Sequence, residues 1–513
     1  MNVRLVLRQL GLVLTVLSGI LLLIAAGSLF LRLVGTHPTD PHARAALFIT
    51  SAIGLLVGGG MWWSTRRAGD ELRRREALLL VALAWLVGAA LAAMPYFLWA
   101  DFGGQAEAGH PFHSPLNCYF EAMSGLTTTG ASIVTDLTTM PRSLLLWRAT
   151  THWLGGLGIV VLFVAILPSL GMGGKRLVLV EAAVHSQHGV RPQIRNTARA
   201  LWLIYLAITV AGIIALCLAG MNVLDAICHC FAAIATGGFG TENASVGHYR
   251  SVAVEVIIIM LMLLGALNFG LYYRLLTGKG RLVWQDRELR LFLTVLIVGG
   301  LLVVLGLLGT PHMTTNHELL ASGAGRSVRY GLFNYVSMQT DTGFATADFD
   351  RWPFLPTAVL LCTVFIGGCS GSTTGGIKIF RLLTVGKIIY AQLERTFRPS
   401  LVRPIRFGRD SLEPEQRIDA LVYVITFALL LLLGGCLLML LEGTDRIDFR
   451  TACTASLATL CTAGPGLGKA GPLANYEWFG GASKIVMTGL MLIGRLEVFT
   501  ILVLFTPQFW RQD

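Results

Sequence analysis

The fold of this chain follows from four short strings: Phe120-Glu-Ala-Met-Ser-Gly-Leu-Thr-Thr-Thr-Gly130, Phe231-Ala-Ala-Ile-Ala-Thr-Gly237, Phe333-Asn-Tyr-Val-Ser-Met-Gln-Thr-Asp-Thr-Gly343 and Ala455-Ser-Leu-Ala-Thr-Leu-Cys-Thr-Ala-Gly464. Each string joins an apolar stretch that is too short to cross a membrane to a terminal Thr-Gly or Ala-Gly pair. The last glycines of the strings are separated by 107, 106 and 121 residues. Repetition at a nearly constant interval is typical of one structural unit used several times. We therefore predict four copies of a helix, re-entrant loop and helix.

Outside these strings the chain has the composition of a membrane protein. Of its 513 residues, 54% are hydrophobic and only 13% are charged, whereas about 25% of the residues of a soluble domain are charged. At about 20 apolar residues per crossing, the long uncharged runs predict ten spanning helices, at about residues 9–35, 45–64, 77–100, 144–170, 200–221, 250–276, 289–309, 354–380, 418–441 and 483–506. Little chain remains for a separate soluble enzyme module.

The basic residues indicate the orientation in the membrane. The net charge is +11, and Lys and Arg lie in short loops between apolar runs. This pattern is typical of cytoplasmic loops rather than of a nucleic-acid-binding surface. Residues 65–76 carry five arginines, whereas residues 36–44 on the other side of the same helix carry one. With an even number of spans, both termini are predicted to be cytoplasmic.

The repeats divide the chain into five segments. Residues 1–70 are predicted to form an N-terminal transmembrane helix pair. The predicted pore repeats follow at residues 71–185, 186–280, 281–410 and 411–513, and the third of them includes an intramembrane gating loop.

Four re-entrant loops in one chain predict a shared cation pore. Backbone that is not helical is tolerated at membrane depth only where protein buries it or where it lines a watery cavity. A short helix that ends at such a loop points its negative C-terminal dipole inward, and rings of backbone carbonyls replace the hydration shell of a potassium ion. Glycine permits the backbone angles that turn carbonyls toward one axis. A single Thr-Gly string would indicate an ordinary helix cap, but four spaced copies favour the pore.

At this point the sequence resembles the Trk/Ktr/HKT superfamily of potassium transporters, and specifically its Trk-type membrane subunits (TrkH/TrkG). The resemblance covers nearly the whole chain, and the extra N-terminal helix pair resembles Trk rather than Ktr. Its most specific strings are Ser124-Gly-Leu-Thr-Thr-Thr-Gly-Ala131, Ala235-Thr-Gly-Gly-Phe239, Ile366-Gly-Gly-Cys-Ser-Gly-Ser-Thr-Thr-Gly-Gly-Ile-Lys378, Gly464-Pro-Gly-Leu-Gly468 and Gly494-Arg-Leu-Glu-Val498.

The resemblance implies a fold class and an ion site. The fold class is an all-α polytopic membrane protein, with four helix–pore loop–helix repeats of pseudo-fourfold symmetry after the N-terminal helix pair. The implied cargo is a potassium ion held in a selectivity filter, with no organic cofactor in this chain. The positions that match the filter of the family are Thr128, Thr129, Gly130, Ala235, Thr236, Gly237, Asp341, Thr342, Gly343, Thr462, Ala463 and Gly464.

Two of these strings depart from the pattern of the family. The fourth reads Cys461-Thr462-Ala463, where the family often has a more polar string containing Asn. The third includes Asp341, a carboxylate within the filter string. Asp341 either faces away from the axis and hydrogen-bonds the loop backbone, or faces the entrance and concentrates cations. An unpaired charge at this depth is costly.

The predicted gate lies in the third repeat. Glycines interrupt the span that begins near residue 354, so a regular helix is not expected there. The segment superficially resembles a phosphate loop, but Ile377 separates the last glycine from the lysine and no strand precedes it. One interpretation is that these glycines form a structural kink in the helix. The family resemblance implies instead a mobile loop that obstructs the pore. The predicted gate residues are Gly367, Gly368, Gly371, Ser372, Thr373, Thr374, Gly375, Gly376 and Lys378, together with Arg495.

Arg495 lies near the middle of the last predicted span, where a charge costs about 2.5–3.5 kcal/mol on insertion scales. It either pairs with Glu497 or with loop carbonyls, or projects into the cavity below the filter and repels cations while the pore is closed. For Glu121 and Lys484, a functional role and a structural one both stay open.

The resemblance also implies partners and a location. The location is a bacterial inner membrane, where the protein contacts membrane lipid and forms a homodimer. The implied partner is a separate TrkA-like cytoplasmic subunit that binds nucleotides, and the basic residues 378–417 offer a docking face for it. No nucleic acid is expected. The predicted function is potassium uptake through a channel-like pore, and the alternative is a proton- or sodium-coupled symporter. A membrane enzyme is disfavoured because the sequence has no nucleophile with its base and no metal-binding motif.

Overall fold

The structure is a computed structural model, and it describes residues 1–33, 40–68, 73–103, 109–165, 190–278, 280–398, 406–407 and 410–511. Within these residues the chain is mostly helical. The α-helices are α1 Val3–Leu33, α2 Pro41–Ser64, α3 Arg74–Gly103, α4 Pro115–Leu126, α5 Arg142–Ala165, α6 Val190–Leu218, α7 Val223–Ile234, α8 Val252–Ala266, α9 Phe269–Leu276, α10 Gly280–Trp284, α11 Arg287–Leu307, α12 Ala324–Gln339, α13 Phe354–Ile366, α14 Ile379–Phe397, α15 Pro414–Glu442, α16 Phe449–Leu460, α17 Gly481–Arg495, α18 Val498–Leu502 and α19 Pro507–Trp510.

Short 3-10 helices and two strand pairs complete the described elements. The 3-10 helices are Pro111–His113, Leu137–Thr139, Ser245–Tyr249, Phe349–Arg351, Gly468–Ala470 and Val503–Phe505. The strands are β1 His312–Met313 with β2 Leu319–Leu320, and β3 Arg406–Phe407 with β4 Asp410–Ser411, both antiparallel. All nine cysteines are free thiols.

Six of the described helices are long and apolar enough to cross a membrane, namely α1, α2, α3, α6, α11 and α15. Two bent pairs add up to two more spans: α8 with α9, bent by 93°, and α17 with the chain that runs from Val498 to Phe505, bent by 117°. The remaining two predicted spans do not meet this test. The run predicted at 144–170 continues beyond Ala165 into residues outside the described part, and the run predicted at 354–380 is interrupted by the glycine-rich segment after α13.

The N-terminal pair and the first repeat share one apolar core. Helix α1 packs along α2, and both contact α3. The close crossing of α1 and α2 depends on small residues, because a Cβ on Gly11 or Gly58 would meet the backbone of the other helix. Small residues at a helix crossing let two backbones approach within a membrane. The core continues through α4 and α5 into α17, which joins the first repeat to the last.

Each repeat contains one helix that is too short to span, followed by an irregular loop. The short helices α4, α7 and α16 each have 12 residues, and α12 has 16. Each packs against one helix before it and one after it in the chain. The division into four helix–loop–helix units is therefore confirmed. The boundaries predicted between residues 70 and 71 and between residues 185 and 186 lie outside the described residues, and the other boundaries stay predictions.

Candidate functional site

The four loops after the short helices have the same backbone conformation. We call them the central loops, residues 127–130, 235–238, 340–343 and 461–464. In the first, the amide of Thr128 donates to the carbonyl of Gly125 at 3.0 Å, and the amide of Thr129 donates to that of Ser124 at 2.9 Å. This pair of bonds is the Schellman motif, which closes a helix with one left-handed residue. The corresponding bonds recur in the other loops, from Thr236 and Gly237, Asp341 and Thr342, and Thr462 and Ala463.

The left-handed position of each motif holds a residue with a side chain instead of the usual glycine. The four residues, which we call the left-handed ring, are Thr128, Thr236, Asp341 and Thr462, with φ of 52°, 53°, 51° and 56°. Such a residue costs about 1–3 kcal/mol, and strain of this kind clusters at functional sites. Four equal occurrences in one chain indicate that the side chains at these positions are needed.

The residue two positions further along is a glycine in every loop. This second set, the glycine ring, comprises Gly130, Gly238, Gly343 and Gly464, with φ of 79°, 82°, 85° and 86°. A Cβ on Gly130 would lie closer than 3.0 Å to the carbonyl oxygen of Gly237 in the next loop. The same approach recurs from Gly238 to Thr342, from Gly343 to Ala463, and from Gly464 to Thr129. Each loop therefore meets the next one, and the fourth meets the first, so the loops close a ring.

The structure corrects the predicted alignment of the second loop. The spacing of the strings aligned Gly237 with the other three glycines, but the residue with their backbone angles and contacts is Gly238. Gly237 is equivalent to Thr129, and Ala235 is equivalent to Thr127, the cap of the short helix. The one-residue error arose because two glycines stand in succession and only the cap geometry distinguishes them.

A cavity of about 160 Å³ opens on one side of the glycine ring. Its lining includes all four ring glycines and parts of the chain that follow the loops, with Ser132, Glu242 and Asn243 among them. The left-handed ring precedes the glycines in each loop and does not line this cavity. The side-chain oxygens of that ring consequently belong to the opposite end of the loops.

Asp341 lies at that opposite end and is fully buried. The first predicted alternative, a hydrogen bond to the loop backbone, is wrong, since neither carboxylate oxygen has a hydrogen-bond partner among the described residues. The second alternative, a carboxylate that faces the entrance, stays a prediction; Asp341 precedes Gly343 of the glycine ring and does not line the cavity. A Cβ on Gly367 would lie 3.2 Å from Asp341 Oδ2, so the carboxylate adjoins the glycine-rich segment.

Two hydroxyls of the left-handed ring share this lack of partners. Thr128 Oγ1 and Thr462 Oγ1 are buried and make no hydrogen bond within the described part of the chain, whereas Thr236 Oγ1 donates to the carbonyl of Ala235 at 2.7 Å. Buried polar atoms without a partner cost about 1–3 kcal/mol each. A carboxylate and two hydroxyls in this state form a set of oxygens whose chemistry fits a bound cation.

The glycine-rich segment, residues 367–378, lies directly under three of the four central loops. Thr373 Oγ1 lies 3.0 Å from the carbonyl oxygen of Ile234, where the second short helix ends. A Cβ on Gly375 would lie within 3.0 Å of Thr462 Oγ1 in the fourth loop, and Gly367 meets Asp341 in the third. A residue outside the ring also holds the segment, because the amide of Ser370 donates a hydrogen bond to Glu288 Oε1 at 2.6 Å.

Lys378 ends this segment with a left-handed φ of 77°. Its buried ammonium donates to the carbonyl oxygen of Thr374, and to Thr374 Oγ1 at 3.0 Å. Lys378 therefore closes the segment on itself, and it also lies near enough to Asp341 to attract it electrostatically. The predicted gate residues thus form one continuous structure beneath the loops.

Arg495 bridges the remaining side of the ring. Its guanidinium donates to the carbonyl oxygen of Thr373, and to that of Gly155 at 2.9 Å. Gly155 lies against the end of the first short helix, because a Cβ there would overlap the carbonyl oxygen of Leu126. The arginine is only 3% exposed, and its Nε has no partner among the described residues. Arg495 therefore ties the glycine-rich segment to the first repeat.

The predicted pairing of Arg495 with Glu497 is wrong, and the predicted bonds to loop carbonyls are present. Glu497 instead pairs with Arg381 on α14. The guanidinium of Arg381 lies 3.7 Å above the ring of Tyr423. The chain bends sharply between α17 and α18. The side chains of Arg495 and Glu497 therefore reach different partners although the two residues are close in sequence.

Glu121 and Lys484 have structural partners. Glu121 Oε1 lies 2.6 Å from Arg148 Nε, and its Oε2 accepts the amide of Ile133 at 2.9 Å. Both partners of the ion pair are at most 3% exposed. Lys484 donates to Asn117 Oδ1 at 2.8 Å and to a carbonyl. The pair of Glu121 and Arg148 thus connects the first short helix, the chain after its loop and helix α5.

We expect Glu121→Gln to destabilise the protein by about 3 kcal/mol, because it leaves the guanidinium of Arg148 buried without its counter-charge. Thermal unfolding of the purified protein in detergent measures the change. Glu318→Gln is the matched control, since Glu318 pairs with Arg250 at the same 2.6 Å but both side chains are largely exposed. Exposed pairs contribute about 0–1 kcal/mol. Equal losses in the two variants would contradict the assignment.

Sequence reasoning missed several residues that contact the central loops, the chain just after them or the glycine-rich segment. Arg148 and His152 lie one turn apart on α5, both buried, and Glu288 holds the glycine-rich segment from α11. A signal was present, since Arg148 and His152 interrupt an apolar run at helical spacing. Ionisable residues within spanning helices usually face protein or a cavity. The partners of these residues are not encoded in the local pattern.

The comparisons with known proteins agree with this architecture. The family described as TrkH, cation transport protein, matches residues 43–512. The Trk system potassium uptake protein TrkH of Escherichia coli strain K12 is 37% identical over 514 residues and 100% of both chains. The TrkG protein of the same organism is 32% identical over 90% of this chain and 91% of its own.

A solved structure has the same fold over the whole chain. The crystal structure of the potassium transporter TrkH from Vibrio parahaemolyticus matches with a TM-score of 0.84 and 34% identity, and the match covers 100% of both chains. The family resemblance and the fold class predicted from sequence are confirmed. The chain therefore belongs to the TrkH family of cation transport proteins, a family of multi-pass membrane transporters rather than enzymes.

Proposed function

We propose that this protein is a potassium uptake subunit whose channel-like pore runs through the four central loops. The carbonyls and hydroxyls of these loops replace the hydration shell of the ion. The observation that carries the proposal is the closed ring, in which each glycine of the ring packs against a carbonyl of the neighbouring loop. The names of the relatives, which are potassium uptake proteins, support the choice of ion.

The glycine-rich segment and Arg495 form the gate in this proposal. The segment lies across the inner end of the loops, and Arg495 places a positive charge beneath them. A fixed cation there repels a passing cation and is little screened when buried. Opening requires the segment to move away, because its contacts with three loops leave no room beneath them.

The protein works, in our proposal, in a bacterial inner membrane with both termini cytoplasmic. It assembles as a homodimer and binds a TrkA-like nucleotide-binding subunit at the cytoplasmic face. Residues 378–417 supply the basic docking surface, of which the structure describes residues 378–398, 406–407 and 410–417. The Trk system named for the relatives supports an assembly with other components.

The test is rubidium uptake by vesicles that contain the purified protein, with the voltage clamped by an ionophore. We expect saturable uptake that potassium inhibits more strongly than sodium and that does not depend on a pH gradient. Strict dependence on the proton gradient would instead favour a symporter, for which the buried carboxylate of Asp341 is the candidate carrier. Absence of uptake in vesicles that hold folded protein would overturn both mechanisms.

A further inference from the structure

His152 lies on α5 of the first repeat but reaches the central loop of the second repeat. Its side chain is fully buried. A Cβ on Gly237 would overlap three atoms of the imidazole, Nδ1, Cε1 and Cγ. The flat ring therefore occupies the space that a side chain at position 237 would take.

Because of this contact, glycine is required at position 237 for a different reason from the one that applies to the four residues of the glycine ring. Gly237 has no left-handed φ, unlike Gly238 beside it. The equivalent residues in the other loops carry side chains and are Thr129, Thr342 and Ala463. Position 237 of the second loop thus lacks a side chain because the imidazole of His152 occupies the space, and not because of the backbone angles at this position.

A stack of groups holds the imidazole in place from behind. His152 lies face to face with Phe239, with ring centroids 4.0 Å apart and planes inclined by 14°. The guanidinium of Arg148 covers the ring of Phe239 at 3.4 Å, and Glu121 fixes that guanidinium. Stacked aromatic and cationic groups of this kind add stability beyond their buried area. The stack leaves the imidazole one position, against Gly237.

Neither ring nitrogen of His152 has a hydrogen-bond partner in the described part of the chain. A buried donor or acceptor without a partner lowers stability, so hydrogen bonding does not explain the residue. What the ring supplies is a rigid flat surface behind the loop. The carbonyl of Gly237 faces Gly130 of the first loop, so a shift of this carbonyl would change two adjacent loops.

We propose that His152 is a positioning residue that sets the Gly237 carbonyl and thereby the ion selectivity of the pore. This inference rests on the proposed function, since it assumes that the central loops select the ion. The shape of the ring carries the effect. A flat ring without nitrogens should replace it, and a small side chain should not.

The test measures rubidium uptake into vesicles in competition with sodium. We expect His152→Ala to lower the preference for potassium over sodium by about tenfold, because the emptied space lets the loop relax. His152→Phe should keep the preference within about twofold. Gly237→Ala should lose it as well, and the double variant His152→Ala with Gly237→Ala should regain most of it, since the methyl group then fits and reproduces the Thr462-Ala463-Gly464 sequence.

Gly238→Ala is the matched control for this rescue. Its left-handed φ of 82° and the overlap of a Cβ with the Thr342 carbonyl do not involve His152, so removal of the imidazole should not rescue it. Size-exclusion chromatography identifies variants that fold, and only these are compared.

Four outcomes decide the matter. Unchanged selectivity in folded His152→Ala would overturn the inference while leaving the proposed function intact. Equal rescue of both glycine variants, or loss of selectivity in folded His152→Phe, would also overturn it. A wild-type protein without selective uptake would instead overturn the proposed function.

Discussion

Arg495→Ala is expected to increase potassium flux by at least about a hundredfold. The substitution removes two hydrogen bonds that join the glycine-rich segment to the first repeat, and it removes the positive charge beneath the loops. A hydrogen bond to a charged group contributes about 1.5–3 kcal/mol, and each 1.4 kcal/mol is a factor of ten in an equilibrium. The closed arrangement should therefore lose most of its advantage over the open one. Rubidium influx into vesicles at fixed voltage measures the change.

Two further variants separate the bonds of the arginine from its charge. Arg495→Lys keeps a positive charge but cannot reach both carbonyls with one planar group, so we expect a smaller increase. Thr373→Val keeps the carbonyl that Arg495 uses and removes the hydroxyl near Ile234 and Gly265. It should raise flux without altering the charge. A decrease in flux with folded Arg495→Ala would show that the residue supports conduction instead of closing the pore.

Gly130→Ser is expected to reduce the preference for potassium over sodium by at least about tenfold. A Cβ at this position would overlap the carbonyl oxygen of Gly237, and the φ of 79° is unfavourable for a residue with a side chain. Both effects displace a carbonyl of the ring, and coordination by the ring is what distinguishes the two ions in this proposal. Competitive rubidium uptake gives the ratio.

The matched control is Gly19→Ala on α1. A Cβ there would meet nothing within 4 Å, and alanine favours a helix more than glycine does. Uptake and selectivity should stay as in the wild type. If Gly130→Ser also kept its selectivity, the first loop would not belong to the filter, whatever the other three loops do.

Much of this architecture was predictable because its signals are local. A run of about 20 apolar residues has to cross a membrane wherever it lies, and a string that recurs four times implies four similar units. The rows of glycine, the broken third repeat and the arginine in the last helix were all visible in this way. Each is a property of a few consecutive residues.

The second loop shows where local reasoning fails. Two successive glycines at 237 and 238 fit the same string equally well, and the choice between them depends on which residue follows the cap of the short helix. Glycine is also required at these two positions for different reasons. Gly238 needs its backbone angle, whereas Gly237 makes room for the imidazole of His152, which lies 85 residues earlier in the chain.

The ionisable groups show the same limit. One of the alternatives paired Arg495 with its neighbour Glu497, but the sharp bend after α17 directs Glu497 to Arg381 and Arg495 to the carbonyls of Thr373 and Gly155. The sequence contains Asp341 within the third loop, but only the folded chain shows that its carboxylate adjoins Gly367 and has no hydrogen-bond partner among the described residues.

Hydropathy and repetition therefore predicted a multi-pass membrane fold with four similar units and the loops within them, because burial in lipid constrains every residue of a span in the same way. Closure of the ring, the register of its second loop and the anchoring of the segment beneath it required the folded chain. These depend on backbone atoms and side chains that approach within a few ångströms from repeats about a hundred residues apart, and pairwise contacts at such separation leave no periodic trace along the chain.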